Sequence, residues 1–123
     1  MIPRSYDVLG NIAILKFPKE VKKVEKVKVA KRLMLERKSV RTVVEKSERV
    51  KGRLRTIKTL HLAGEKTLEA IYLENGCKFK LNIESCYFSP RLSNERKIVA
   101  LQVRKGERVL VMFAGVGPFS IVI

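Results

Sequence analysis

Tyr87 to Ser120 reads YFSPRLSNERKIVALQVRKGERVLVMFAGVGPFS, and its second half decides the fold. Val109-Leu110-Val111-Met112-Phe113 is a short apolar run of β-rich character, introduced by Gly106-Glu107-Arg108. Ala114-Gly115-Val116-Gly117-Pro118-Phe119 breaks that run. A buried strand running into a Gly-x-Gly turn is how an α/β nucleotide-binding unit begins. Glycine permits the sharp turn and lets the backbone approach a ligand closely. Residues 109–113 are therefore expected to form a buried strand, and 114–119 a turn. By pattern alone an ordinary glycine turn fits as well, because the full Gly-x-Gly-x-x-Gly is not present.

Working upstream, Ser89-Pro90 marks a helix start: serine can cap, and proline is tolerated in the first turn. Leu92, Glu95, Val99 and Val103 fall on one stripe of that helix. Arg91 and Glu95 are four residues apart and would be surface neighbours, an ion pair worth a few tenths of a kcal/mol. Before them, two runs between Leu68 and Ile83 flank Asn75-Gly76, a dipeptide that favours a tight hairpin turn. Cys77, Phe79, Leu81 and Ile83 share one face of the second run, and Lys78, Lys80 and Asn82 the other. That alternation is a half-buried antiparallel strand.

The N-terminal half adds a helix and shorter strands. Tyr6 to Phe17 reads as two short strands or one bent strand around Gly10-Asn11. Glu20 to Lys38 reads as a helix, with Val21, Val24, Val27, Ala30, Leu33 and Met34 on an apolar stripe. Lys22, Lys23, Lys26, Lys28, Lys31 and Arg32 line its other face. Ser39–Lys46 and Thr59–Ala63 suggest strands. Between them Lys51, Arg53, Arg55 and Lys58 surround Gly52, in a turn and strand or a basic loop. Loops of that kind suit phosphate contacts, which position a protein without reading sequence. The expected fold class is α/β (α+β): a small mixed β-sheet domain with one long packed helix at 1–86, then a connecting helix and the start of a second unit at 87–123. The hand-over to that unit's first strand is expected around Arg104-Lys105-Gly106.

Composition narrows the function classes. Lys and Arg number 27 against 12 Asp and Glu, a formal net charge of +15 over 123 residues. An excess of that size argues for a polyanionic partner, nucleic acid ahead of an anionic membrane. Cys77 and Cys86 form no CxxC and His61 is the one histidine, so no metal site is expected. No signal peptide and no membrane-length apolar run are visible, so a cytoplasmic location is expected.

FSPRLSNER followed by MFAGVGPFS resembles the archaeal and eukaryotic tRNA guanine-N1 methyltransferases, which use S-adenosylmethionine to methylate guanosine 37 beside the anticodon. LAGEKTLEAIYLENGCKFKLNIESCYFSPRL and PRSYDVLGNIAILK look like the same family. The resemblance covers nearly the whole chain but only part of a family member. It implies that residues 109–119 open a Rossmann-like S-adenosylmethionine-dependent domain and that tRNA is the partner. Phe113, Ala114, Gly115, Val116, Gly117 and Pro118 match the family's first cofactor motif. Val111 stands where the family usually has Asp. The acidic residue for the ribose hydroxyls and the downstream Asn-Pro type motif are not among the 123 residues. The cofactor site is therefore expected to be incomplete here and this chain alone inactive, which leaves open completion by a second polypeptide.

The chemistry implied is specific. Guanine N1 carries a proton at neutral pH, so a base must remove it as the nitrogen attacks the methyl sulfonium. Negative charge then builds on O6, where a cation stabilises the transition state. By resemblance Glu95, in SPRLxxER, matches the general base; Arg55 matches the arginine that supports O6; and Tyr87 matches an aromatic at the guanine pocket, where a π-face can stack on an extruded base. Arg91 and Arg96 are expected to contact phosphate or the pocket, with Arg53 and Lys51 as further RNA contacts. Without the family, Glu95 reads as a helix ion-pair residue and Tyr87 as a core tyrosine at a strand end. Two other readings compete: a non-catalytic RNA-binding module, and the sibling tRNA aminocarboxypropyltransferase of wyosine synthesis. Pro118 after Gly117 favours the methyltransferase. A dinucleotide oxidoreductase is more distant, since the third glycine is missing.

Overall fold

Strand β2 (Ile12–Leu15) lies inside a four-stranded sheet, between β1 (Asp7–Leu9) and β3 (Thr42–Lys46), with β4 (Thr59–Gly64) on the far side of β3. This computed structural model describes residues 6–47, 53 and 55–123. The pairs β1–β2 and β3–β4 are antiparallel and β2–β3 is parallel, so the sheet is mixed as expected. Helix α1 (Lys23–Glu36) makes the crossover that a parallel pair requires. A separate antiparallel hairpin follows, β5 (Glu69–Glu74) and β6 (Cys77–Asn82). A 3-10 turn at Pro90–Leu92 leads into α2 (Ser93–Gln102), and α3 (Pro118–Val122) comes last.

The sheet is buried on both faces, and the alternation of its strands sorts the two cores. Ala13 and Leu15 of β2 and Val43 of β3 pack with Ala30 and Leu33 of α1. Ile12 and Val44 turn the other way, onto Ala70, Phe79, Leu81 and Ile83 of the hairpin side. The order of layers is therefore helix, sheet, hairpin. The expected α1 stripe is rotated at its start: Val24 is exposed, whereas Val29 packs on the core. Lys26, expected on the solvated face, reaches Glu45 of β3 at 2.7 Å.

The hairpin matches its sequence signature. Asn75 and Gly76 hold φ of +48° and +74°, the two positive values of a type I′ turn. Phe79 and Leu81 are buried, while Lys78, Lys80 and Asn82 are exposed. The β1–β2 turn joins the hairpin to the sheet. Asn11 accepts the Ile71 N–H at 2.8 Å and donates to the Glu69 carbonyl at 3.4 Å, so its amide stands in for a neighbouring strand. Gly10, at φ +57°, leaves room for this approach, since a Cβ there would lie 1.7 Å from the Ile71 oxygen.

One expectation is corrected. Residues 109–113 form no strand, and Val109, Leu110, Met112 and Phe113 are exposed, Phe113 completely. A buried parallel strand needs neighbours that accept and donate its backbone hydrogen bonds. No described strand pairs with this run. The glycine turn forms nonetheless: Gly115 and Gly117 hold φ of +58° and +75°, the Gly117 N–H donates to the Ala114 carbonyl at 2.9 Å, and Pro118 takes the first turn of α3.

Candidate active site

A pocket of about 190 Å³ opens where the β1–β2 end of the sheet, the hairpin and the segment after β6 meet. Leu9, Ile14, Leu81 and Ile83 give it an apolar lining; Asp7, Lys46, Arg55 and Arg91 bring charge. The Arg55 guanidinium carbon lies 4.7 Å from the Tyr87 ring centroid, a cation–π stack on a half-exposed ring. Arg55 sits in left-handed backbone at φ +53°. Arg91 donates from Nε at 2.9 Å and from its terminal nitrogen at 2.7 Å to one oxygen of Asp7.

Of the residues singled out in the sequence, the structure thus brings Arg55, Tyr87 and Arg91 into one pocket. Glu95 is exposed on α2, does not line that pocket, and makes no hydrogen bond to a described residue. The expected Arg91–Glu95 pair is replaced by Arg91–Asp7, because Arg91 belongs to the 3-10 turn and points back to β1 rather than along α2. Arg53 is exposed and outside the pocket lining, and Lys51 lies outside the described residues.

Arg96, expected to contact phosphate or the pocket, is instead a buried group outside the pocket lining. It is 1% exposed and forms a two-pronged ion pair with Glu74, Nε to one carboxylate oxygen and the terminal nitrogen to the other at 2.7 Å. That nitrogen also donates to the Ser89 carbonyl at 2.9 Å, and the guanidinium lies 4.9 Å from the Phe88 ring centroid. Burial alone would raise the Glu74 carboxyl; the hydrogen bonds and charge of Arg96 outweigh it and hold the group below the usual carboxylate range. Burial, then the charge of Glu74, pushes the neighbouring Tyr72 hydroxyl up.

Sequence reasoning missed Asp7, Lys46 and Glu74. Asp7 meets Arg91 across 84 residues, and no local spacing signals such a pair. Glu74 could have been suspected from its place before Asn75-Gly76, on the buried parity of β5 with Ala70.

The cofactor-type run Phe113–Pro118 lies apart from this pocket's lining. Around Gly115 the space is open: apart from its chain neighbours, no atom of the described residues lies within 4 Å of a would-be Cβ. The glycines are thus needed for backbone conformation, and their open side suits close approach by a ligand. Glu107, the one carboxylate between Gly106 and Ile123, accepts the Arg104 N–H at 2.8 Å and does not supply a ribose contact as it stands. Among the described residues no group of metal-ligating side chains is present, and no helix is long and apolar enough to cross a membrane.

The model of the TYW2 N-terminal domain matches residues 1–67, more than half of the chain, and that of the TRM5/TYW2 methyltransferase domain matches residues 70–123. The chain belongs to the TRM5/TYW2 family. Its relatives include the tRNA (guanine(37)-N(1))-methyltransferase Trm5b of Pyrococcus abyssi, 43% identical over 99% of this chain and 37% of that protein. The tRNA (guanine(37)-N(1))/4-demethylwyosine(37)-methyltransferase Taw22 of Nanoarchaeum equitans is 40% identical over 97% of this chain and 39% of that one. Among solved structures, the complex of aTrm5 with tRNALeu superposes with a TM-score of 0.88 at 38% identity, covering 99% of this chain and 36% of that one. The chain therefore spans less than two fifths of each of these three proteins. The likeness to them supports the expected mixed α/β class.

Proposed function

We propose that this chain forms the guanosine side of a tRNA position-37 (guanine-N1) methyltransferase. The observation that carries the reading is the Arg55–Tyr87 stack in an apolar-lined pocket rimmed by Lys46 and Arg91. An extruded guanine needs an aromatic face, a cation for O6 and basic groups for the flanking phosphates. Tyr87 supplies the face and Arg55 the cation. Glu95 is the base that takes the N1 proton; its carboxylate is exposed and bonded to no described residue, so it is free for that role.

Phe113 to Pro118 would hold S-adenosylmethionine, which supplies the methyl group, with the open backbone at Gly115 facing it. The carboxylate for its ribose comes from outside residues 1–123, in the same polypeptide or a second one. The partner is tRNA, and the site of action the cytoplasm.

The test is methyl transfer by the full protein containing this segment, using labelled S-adenosylmethionine and tRNA transcripts carrying G37 or A37. N1-methylguanosine should appear in the G37 transcript alone. Equal labelling of both transcripts, or none, overturns the reading. The Taw22 relative, whose name joins guanosine and 4-demethylwyosine, supports a second substrate at the same position. A tRNA bearing 4-demethylwyosine tests it, and the mass of the modified nucleoside tells methyl from aminocarboxypropyl transfer.

A further inference from the structure

Two buried charges join three elements behind the pocket. Glu74 ends β5, Arg96 lies on α2, and the Ser89 carbonyl that Arg96 also holds belongs to the pocket wall. Phe88, over which the guanidinium lies, is part of the same wall and packs edge-on against Tyr72, 5.4 Å between centroids. A second tie runs parallel: the Asn75 side chain donates to the Ser93 carbonyl at 3.0 Å, fixing the first turn of α2 to the hairpin turn.

A buried ion pair contributes little stability over an apolar pair of equal volume, because desolvation offsets the attraction. Its distinctive property is direction. Arg96 offers a rigid planar fork, two prongs to Glu74 and a further N–H on the same terminal nitrogen for a backbone carbonyl, which an apolar side chain cannot replace. We infer that Glu74 and Arg96 are positioning residues: through the Ser89 carbonyl and the Phe88 ring they set the Tyr87–Arg91 wall, and through α2 they set where Glu95 stands. The pair touches no substrate. It acts through Tyr87 and Glu95, the residues on either side of the clasp, and so the catalytic part of the inference rests on the function proposed above.

The test compares the parent with the apolar pair Glu74→Met/Arg96→Met and with Glu74→Gln. Amide hydrogen exchange is followed on the 123-residue chain, and single-turnover methyl transfer on the full protein. The apolar pair should melt near the parental temperature. Amides of residues 88–96 should exchange at least tenfold faster, while β2 and β3 keep their protection. Methyl transfer should slow at least tenfold, with tRNA and cofactor affinities within about threefold, because misplaced groups lower rate more than binding. Should the apolar pair fail to fold, Glu74→Gln is read by the same two measurements below its own melting temperature. Unchanged exchange in 88–96 together with a parental transfer rate overturns the inference. Exchange that quickens uniformly overturns it too, since the pair would then be a general stabiliser. A parent protein that transfers no methyl group defeats the proposed function instead, and the exchange result still decides whether the pair holds the wall.

Discussion

Arg55 and Tyr87 meet face to ring at 4.7 Å, although one sits on the loop before β4 and the other beyond the last strand of the hairpin. Arg55 makes this contact from φ +53°, a region that costs a non-glycine residue roughly 1 kcal/mol. A stack on an exposed ring returns about 0.5–1 kcal/mol, so the contact does not stabilise the fold by much. Its worth lies in holding a guanidinium over an aromatic face beside an apolar pocket.

Arg55→Gly therefore separates chemistry from folding. Glycine relieves the backbone strain, so stability in urea should stay level or rise by up to about 1 kcal/mol. Single-turnover methyl transfer in the full protein should fall roughly 10²–10³-fold, the usual loss when an oxyanion partner is removed. Arg55→Ala should lose the same rate and gain no stability. A parental rate in Arg55→Gly would remove Arg55 from the mechanism.

The junction between sheet and hairpin gives a second prediction, on stability alone. Asn11→Ala leaves the Ile71 N–H and the Glu69 carbonyl to water and should cost about 0.5–1.5 kcal/mol, the net worth of a hydrogen bond at an exposed site. Gly10→Ala should cost at least as much, since its Cβ would collide with the backbone oxygen of Ile71 and φ is +57°. Urea unfolding of the 123-residue chain checks both. Near-neutral results would mean that the two layers meet without the Gly10-Asn11 turn.

These residues also mark what the sequence made legible. The β6 alternation and Asn75-Gly76 carry their structure in local chemistry, and both appear as expected. The stripe of α1 was readable through Ala30 and Leu33, while its N-terminal turn was not, because Val24 satisfies the same spacing yet faces water. Residues 109–113 have the composition of a buried strand, but a strand is made by its neighbours, and composition does not supply them. At the site, Arg55, Tyr87 and Arg91 came from resemblance; their meeting came from tertiary structure. Asp7 gave no local signal, since its partner lies 84 residues away, and Glu74 gave only its parity with Ala70 on β5, which does not name a partner 22 residues away.

With Glu74, whose carboxyl is also held low, Glu84 should account for part of the acid sensitivity. Its carboxylate accepts both the N–H and the hydroxyl of Thr59 at 2.7 Å, tying the start of β4 to the segment after β6. The Thr59 hydroxyl is the leading cause that holds its pKa below the ordinary 4.5. The folded state thus binds protons less readily than the unfolded one, so this contribution is full above the unfolded value and is lost as pH falls through the folded one. Stability measured from pH 6 down to pH 3 should decline below about 4.5. The decline should be shallower in Glu84→Gln, whose stability at pH 6 should be lower. Parallel curves for the two proteins would assign the acid response to other carboxylates.

Glu95 is the sharpest case, because two roles predict opposite signatures. Its neighbour Arg96 is buried and bonded to Glu74, and Arg91 turns away to Asp7, so neither arginine is bonded to Glu95. No ion pair with either arginine would therefore be lost with it. Glu95→Gln keeps the shape and removes the proton acceptor. In the full protein it should slow methyl transfer roughly 10²–10⁴-fold, the range of general base catalysis, with tRNA and cofactor affinities nearly unchanged. In the 123-residue chain it should leave the melting temperature where it was, as expected for an exposed helix position. Single-turnover kinetics across pH adds a control: a rate limited by loss of the Glu95 proton acceptor should recover as hydroxide rises, whereas a misfolded site should not. If Glu95→Gln transfers methyl groups at the parental rate, the base must be sought elsewhere, and the pocket of Arg55 and Tyr87 must be completed by residues beyond α2.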